Sequence, residues 1–510
     1  MPSASKEHIS PIALGVVCLI ALALAAFLRL NDLDRYPLHA DEAVQGIKLE
    51  EFLDKGTFDY DPTEYHGPLP HYLAKATLGV NGRLSKRDSI PLDESDLRLA
   101  PALAGIVVVL LVGWLAVVAW GTAGALPAML LAAVSPSLVY YSRDYIAEMF
   151  FVAGTCLFLM GTARFFGDRG KRDRDIPWLW AAATGGGAGL MHAAKETCVL
   201  SFAAAGVAAL IVYGFGKAQR KSLWVGLATA VLTSVAIYSD GFRNWSDVAE
   251  SLATYLRYLN RAEGEGHQHP WWFYAQRYGW FRGGYLWTEI GVFLLGLIGF
   301  IASWVHGVKI GRFLGLYAIL LFAIYCVIPY KTPWSILPAL IAWFPLAGGL
   351  LTIHRGTAQR AIWLIVLLGV VLHLFVQANR ATGRMATDPR NPYSYAHTST
   401  QLSQLLDLIT EIDTIAPGPI DLVITDPWMA WPLPWYFRNR ANVRYRTDFP
   451  TEPTASLTIA AATVLPEKTH PSWEALHPKL YGLRADLPLV AYIDKTLWTE
   501  LLKRKEKARE

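Results

Sequence analysis

PIALGVVCLIALALAAFLRL, residues 11–30, runs directly into a polar stretch that contains His39-Ala-Asp-Glu-Ala-Val-Gln-Gly46. The first segment has the length of a helix that crosses a hydrocarbon core of roughly 30 Å. It is long for the apolar core of a signal peptide, so it reads as a retained span. Comparable apolar runs recur at Leu99–Trp120, Gly124–Tyr141, Phe150–Phe166, Trp178–Ala194, Thr197–Phe215, Leu223–Tyr238, Leu286–Val305, Phe313–Pro329, Ile336–Ile353 and Ala361–Ala378. About eleven spans are expected. The composition agrees: of 510 residues 53% are hydrophobic and 17% charged, with a mean hydropathy of +0.28. Soluble chains carry roughly 25% charged residues. The formal charge of +4 is too balanced for a nucleic-acid surface. Cys18, Cys156, Cys198 and Cys326 all sit in apolar runs without CxxC spacing, which argues against zinc and structural disulfides.

Lys and Arg in the short loops set the orientation. Basic loops (Arg169, Lys171, Arg172 and Arg174; Lys217, Arg220 and Lys221; Lys309 and Arg312; Arg355 and Arg360) belong on the cytoplasmic side. The N-terminus is then cytoplasmic, and residues 31–98, 239–285 and everything after Asn379 face outward from a cell inner or plasma membrane. The first outer loop is acidic, with fourteen Asp/Glu against eight Lys/Arg. From residue 381 the composition becomes that of a soluble chain. A helix pattern at Thr400–Ile412 and strand-like runs at Ile420–Thr425, Ser456–Val464 and Leu487–Ile493 predict a small α/β domain over 381–510. The fold class is an all-α polytopic membrane domain, 1–380, with a small C-terminal soluble α/β domain.

On this topology the unusual polar residues gather at one face. Asp41-Glu42 opens an amphipathic helix, where acids also suit the helix dipole. His66 and His71 lie in Tyr65-His-Gly-Pro-Leu-Pro-His. Arg143, Asp144 and Glu148 lie in Tyr141-Ser-Arg-Asp-Tyr-Ile-Ala-Glu, between two spans. Lys195-Glu196 and Lys331 also stand between apolar runs. Charges so close to hydrocarbon pair, snorkel or serve a pathway. Acids and bases from four segments on one leaflet suit a phosphate-bearing lipid headgroup, with carboxylates left for proton transfer.

The strings His39-Ala-Asp-Glu-Ala, Tyr65-His-Gly-Pro-Leu, Tyr141-Ser-Arg, Lys195-Glu196, Tyr330-Lys-Thr-Pro-Trp, Asn391-Pro-Tyr-Ser-Tyr-Ala-His-Thr and Trp431-Pro-Leu-Pro-Trp-Tyr resemble GT-C membrane glycosyltransferases. The pattern is similar to the glycosyltransferase-39 and protein O-mannosyltransferase groups, and to a flippase-activity-associated prokaryotic subgroup. The resemblance implies a polyprenyl-phosphate sugar donor, a protein, lipid or glycan acceptor and inversion at the anomeric carbon. It also implies residue roles. Asp41 is the general base, with Glu42 its neighbour. Glu148 orients acceptor or sugar. Lys195 contacts the donor phosphate, with Arg143, Lys331 and His66 as further phosphate groups. His66 departs from the aminoarabinose transferases, which have Lys there. His267 and His269 in His-Gln-His-Pro-Trp-Trp, with Trp271 and Trp272, suit sugar or acceptor binding. An H-x-H pair also ligates divalent metals, with Asp41 as a third ligand, or serves structure alone. No cofactor is expected. The rival functions are a flippase or transporter component and a non-catalytic scaffold.

Overall fold

The computed structural model describes residues 10–63, 66–87, 89–167, 176–214, 220–261, 267–353, 356–475 and 480–507. Tyr65, Arg169, Lys171, Arg172, Arg174, Lys217 and Arg355 lie outside the described residues.

The first span forms as expected, Pro11–Leu30, with the Ser10 side chain accepting from the Ala13 N–H at 3.2 Å and Pro11 at the first helical position. The second, Glu94–Trp120, starts earlier than its apolar run because Asp93 and Asp96 build a reciprocal capping box ahead of it. Four more helices are long and apolar enough to cross a membrane: Glu148–Phe166, Lys221–Tyr238, Lys309–Val327 and Thr357–Thr382. Two segments bent by 42°, Pro333–Leu340 and Trp343–Thr352, make a seventh if counted as one span. This is a multi-pass membrane protein.

The other four expected spans differ. Gly124–Tyr141 breaks at Ser135, whose extended backbone precedes Pro136, giving Ala125–Val134 and Pro136–Tyr141. Cys198–Tyr213 and Ile290–Val305 have 16 residues each, about 24 Å of helix. The second starts late because Leu286–Trp287 pairs with Phe281–Arg282 in a small antiparallel hairpin. Pro177–Ala194 carries Gly185, Gly186, Gly187 and Gly189, which lower its hydropathy and thin it for close packing. A Cβ on Gly187 would lie 2.5 Å from the Phe158 nitrogen, and one on Gly189 would lie 2.6 Å from Thr233 Cβ. The helix is wedged between Glu148–Phe166 and Arg220–Tyr238.

The chain divides into two compact units. One comprises residues up to Leu33, Leu49–Met385 and Arg390–Tyr393, and holds the helices above. The other comprises Asp34–Lys48, Ala386–Pro389 and Ser394 onward. Its sheet has the strand order Val443–Arg446, Ile420–Val423, Leu457–Ala461, Leu487–Asp494, Trp473–Ala475, with Tyr481–Arg484 also paired to Leu487–Asp494. The first three strands run parallel and the rest antiparallel. Gln401–Asp413 and Lys495–Lys507 supply Leu402, Leu405, Ile409 and Leu501 to a core with Leu422, Ile459 and Leu489. Asp34–Lys48 is tied into this unit. The Leu38 N–H donates to the Tyr436 hydroxyl at 2.9 Å, and the Thr398 hydroxyl donates to the Leu38 carbonyl at 2.6 Å.

Candidate active site

In the helical unit, Lys195 ends the helix Pro177–Ala194 in an extended conformation. Its ammonium forms a buried ion pair with Glu148, the first residue of Glu148–Phe166. Burial works against the Lys195 charge, but the Glu148 carboxylate outweighs it and holds the ammonium above its ordinary range. Glu196 points into a second network. Its Oε2 lies 2.9 Å from His66 Nδ1, and its Oε1 accepts from the Tyr60 hydroxyl at 3.1 Å. Burial alone would raise the Glu196 carboxyl; His66 and the hydrogen bonds hold it at about 2. Burial and Glu196 together push the Tyr60 phenol up, so it stays a donor. The Tyr60 N–H in turn donates to Asp247 Oδ2 at 2.8 Å. Adjacent residues of one turn therefore anchor a buried ion pair with Glu148 and a separate hydrogen-bonded network with His66 and Tyr60.

Arg143 is engaged elsewhere. Its guanidinium donates to the carbonyls of Asn31 at 2.6 Å and Asp32 at 2.7 Å, and at longer range to those of Leu28 and Arg29. It caps the C-terminal end of Pro11–Leu30, where helix carbonyls lack partners. Lys331 is also buried among carbonyls. Its ammonium donates to Ile328 and, at 3.0 Å, to His269, while its N–H donates to the His267 carbonyl at 2.9 Å. The His-Gln-His loop is thus pinned to residues 328–331. The His267 ring meets Tyr330 edge-on at 5.0 Å, and the His269 ring stacks on Phe273 at 4.2 Å. Trp271 and Trp272 stand exposed and edge-to-face. Among the described residues, no group of three His, Cys, Asp or Glu is placed to hold a metal ion.

In the second unit, the helix Ala40–Lys55 begins with acids of opposite fate. Glu42 is fully buried, and its Oε2 accepts from the His39 N–H at 2.9 Å, which is half of a capping box. Asp41 is 55% exposed, with its carboxylate 3.9 Å from His39 Nδ1. His39 Nδ1 accepts the Asp41 N–H at 3.1 Å, which leaves the ring proton on Nε2, directed to the Tyr395 carbonyl at 3.1 Å. The His397 ring lies 4.8 Å from that of His39, and its Nδ1 accepts the Tyr395 N–H.

Three groups escape the sequence reading. Glu196 stands there only as the neighbour of Lys195. Glu289 is buried at the start of Ile290–Val305, where it accepts from the Ser135 hydroxyl at 2.6 Å, the Ser137 N–H at 3.2 Å and the Tyr393 hydroxyl at 2.9 Å. Burial raises its carboxyl. Arg29, fully buried, donates to the Ala132 and Ala133 carbonyls and to the Ser142 hydroxyl. The one available signal is a charge at the end of an apolar run.

The arrangement of these helices has known counterparts. ArnT from Cupriavidus metallidurans, in a structure bound to undecaprenyl phosphate, matches with a TM-score of 0.60 over 95% of this chain and 99% of its own, at 15% identity. The chain has the GT-C fold. The archaeal oligosaccharyltransferase AglB from Archaeoglobus fulgidus, in complex with an inhibitory peptide and a dolichol-phosphate, gives 0.52 at 14% identity, over 79% of this chain and 58% of its own. Residues 79–245 match the family model described as dolichyl-phosphate-mannose-protein mannosyltransferase. The matched residues include Arg143, Glu148, Lys195 and Glu196. No curated protein matches the chain.

Proposed function

We propose that this chain is a membrane glycosyltransferase that moves a sugar from a polyprenyl-phosphate donor to an acceptor hydroxyl at the outer face of the cytoplasmic membrane. The observation that carries the reading is the Lys195–Glu148 pair: a cation buried at a helix end, with one carboxylate counter-ion, inside the segment that matches the mannosyltransferase family. Donor phosphate competes with Glu148 for Lys195, and the released carboxylate is then free to hydrogen-bond sugar or acceptor. The bond from the anomeric carbon to the phosphate oxygen breaks as the acceptor oxygen attacks from the opposite face, which inverts the configuration. Lys195 takes up the charge growing on the leaving phosphate, a stabilisation of about 3–4 kcal/mol for one well-placed donor. Asp41, exposed on the first turn of its helix, takes the acceptor proton. His66 adds a second donor to the phosphate, and the exposed Trp271 and Trp272 offer apolar faces to a sugar ring.

A deletion strain analysed for lipid-linked sugars and surface glycans tests this. Loss of a glycan with accumulation of its polyprenyl-phosphate donor at the outer leaflet is the expected result. Donor held at the cytoplasmic leaflet would overturn transfer and favour flipping.

A further inference from the structure

The helix Ser246–Arg261 is amphipathic in the reverse sense. Its buried positions are polar: Asp247, Ser251 and Thr254 are all shielded. Among positions 247–256, whose side chains are described, the exposed ones are apolar. Ala249 is exposed, Leu252 is 63% exposed and Leu256 73%, and Trp245 just ahead of the helix is 61% exposed. At 100° per residue these four fall within about 60° of one another, and the polar set lies on the opposite side. A helix bathed in water carries its apolar stripe inward. This one would hold a row of leucines in solvent while spending Asp, Ser and Thr on the protein interior.

The surroundings identify what covers the outward face. The helix follows the membrane-crossing segment Lys221–Tyr238, only 11% of which is buried within the protein, so its start lies close to the end of a lipid-facing span. The link between them carries Phe242 and Trp245, both exposed, with ring centroids 6.2 Å apart. Exposed aromatic rings at that depth form the belt that anchors proteins at the headgroup level. The inward face is equally specific. Asp247 accepts the Tyr60 N–H, and the Tyr255 hydroxyl lies 3.5 Å from Cys198 Sγ, which joins the helix to the network around Glu196.

We infer that Ser246–Arg261 lies in the membrane surface, with Ala249, Leu252 and Leu256 inserted at the headgroup–acyl boundary and its polar side turned to Tyr60 and the Glu196 network. The helix is then a wall with lipid on one side and buried polar groups on the other. The inference does not depend on the proposed reaction.

The test places a nitroxide at Leu252→Cys and, separately, Leu256→Cys in the full chain, with the four native cysteines replaced by alanine, in nanodiscs of phosphatidylcholine and phosphatidylglycerol. Leu232→Cys, on the span Lys221–Tyr238, supplies the lipid reference, and Asp486→Cys supplies the water reference. The expected result is collision with oxygen in excess of collision with a nickel chelate at both helix positions, as at Leu232. An excess of nickel, as at Asp486, puts the face in water and overturns the inference. Protection from both reagents means that protein covers the face, which overturns it equally.

Discussion

Two charged dipeptides, Lys195-Glu196 in the helical unit and Asp41-Glu42 in the other, look alike as sequence and resolve differently in three dimensions. Each stands at a helix boundary. At Lys195-Glu196 both side chains are buried and each has an oppositely charged or donor partner from a distant segment. At Asp41-Glu42 one acid is consumed in capping its own helix and the other is left facing solvent beside His39. The first arrangement is a built charge network. The second divides the neighbours between a buried cap and an exposed carboxylate.

That contrast breaks most readily at Asp41. Asp41→Asn should lower turnover by roughly 10²–10⁴-fold, the usual worth of a general base, with an unchanged melting temperature. Transfer at the parental rate by the Asn variant would remove Asp41 from the chemistry.

Lys195→Met should strand Glu148 as an uncompensated buried charge and cost about 3–5 kcal/mol of stability. Denaturation in detergent measures it. The double variant with Glu148→Leu should lie closer to the parent than Lys195→Met does, and a double variant as unstable as the single one would show that the pair is not coupled. Glu42→Ala is expected to be smaller, about 1–3 kcal/mol, because the buried His39 N–H loses its acceptor. Its melting temperature should fall where that of Asp41→Asn does not.

The most pH-dependent effect belongs to Glu196. Its folded pKa of about 2 lies below the ordinary 4.5. The stability it contributes is therefore complete above about 4.5 and is lost as pH falls from there through 2. Melting curves between pH 5 and 2.5 should decline less steeply for Glu196→Gln than for the parent. Equal slopes would mean that the His66–Glu196 pair contributes nothing to the acid response.

Much of the fold was legible as hydropathy. Pro11–Leu30 is uniform, and Ser10 and Pro11 mark its start. The single-run reading of Gly124–Tyr141 missed the break because Ser135-Pro136 interrupts the helix without lowering its apolarity. Leu286 and Trp287 read as part of the following helix because an apolar strand residue and an apolar helix residue look alike over two positions. The strand Val443–Arg446 is a half-buried edge with two arginines, so it carries no apolar run. In the site, the placement of Glu148 and Lys195 at helix ends was readable, but not their pairing across 47 positions. The contacts of Arg143 are equally hidden, because backbone carbonyls leave no trace in side-chain identity.

The residues that hold His39 and Asp41 in place come from the far end of the chain. Tyr395, His397, Thr398 and Tyr436 grip a segment that is encoded more than 340 positions earlier. The C-terminal unit is therefore no detachable appendage. Removing it, or fusing the helical part to a reporter in its stead, strips the supports from the turn that presents Asp41. A shortened protein can insert normally and still be inert, and its silence would be misread as proof that the C-terminal unit binds substrate.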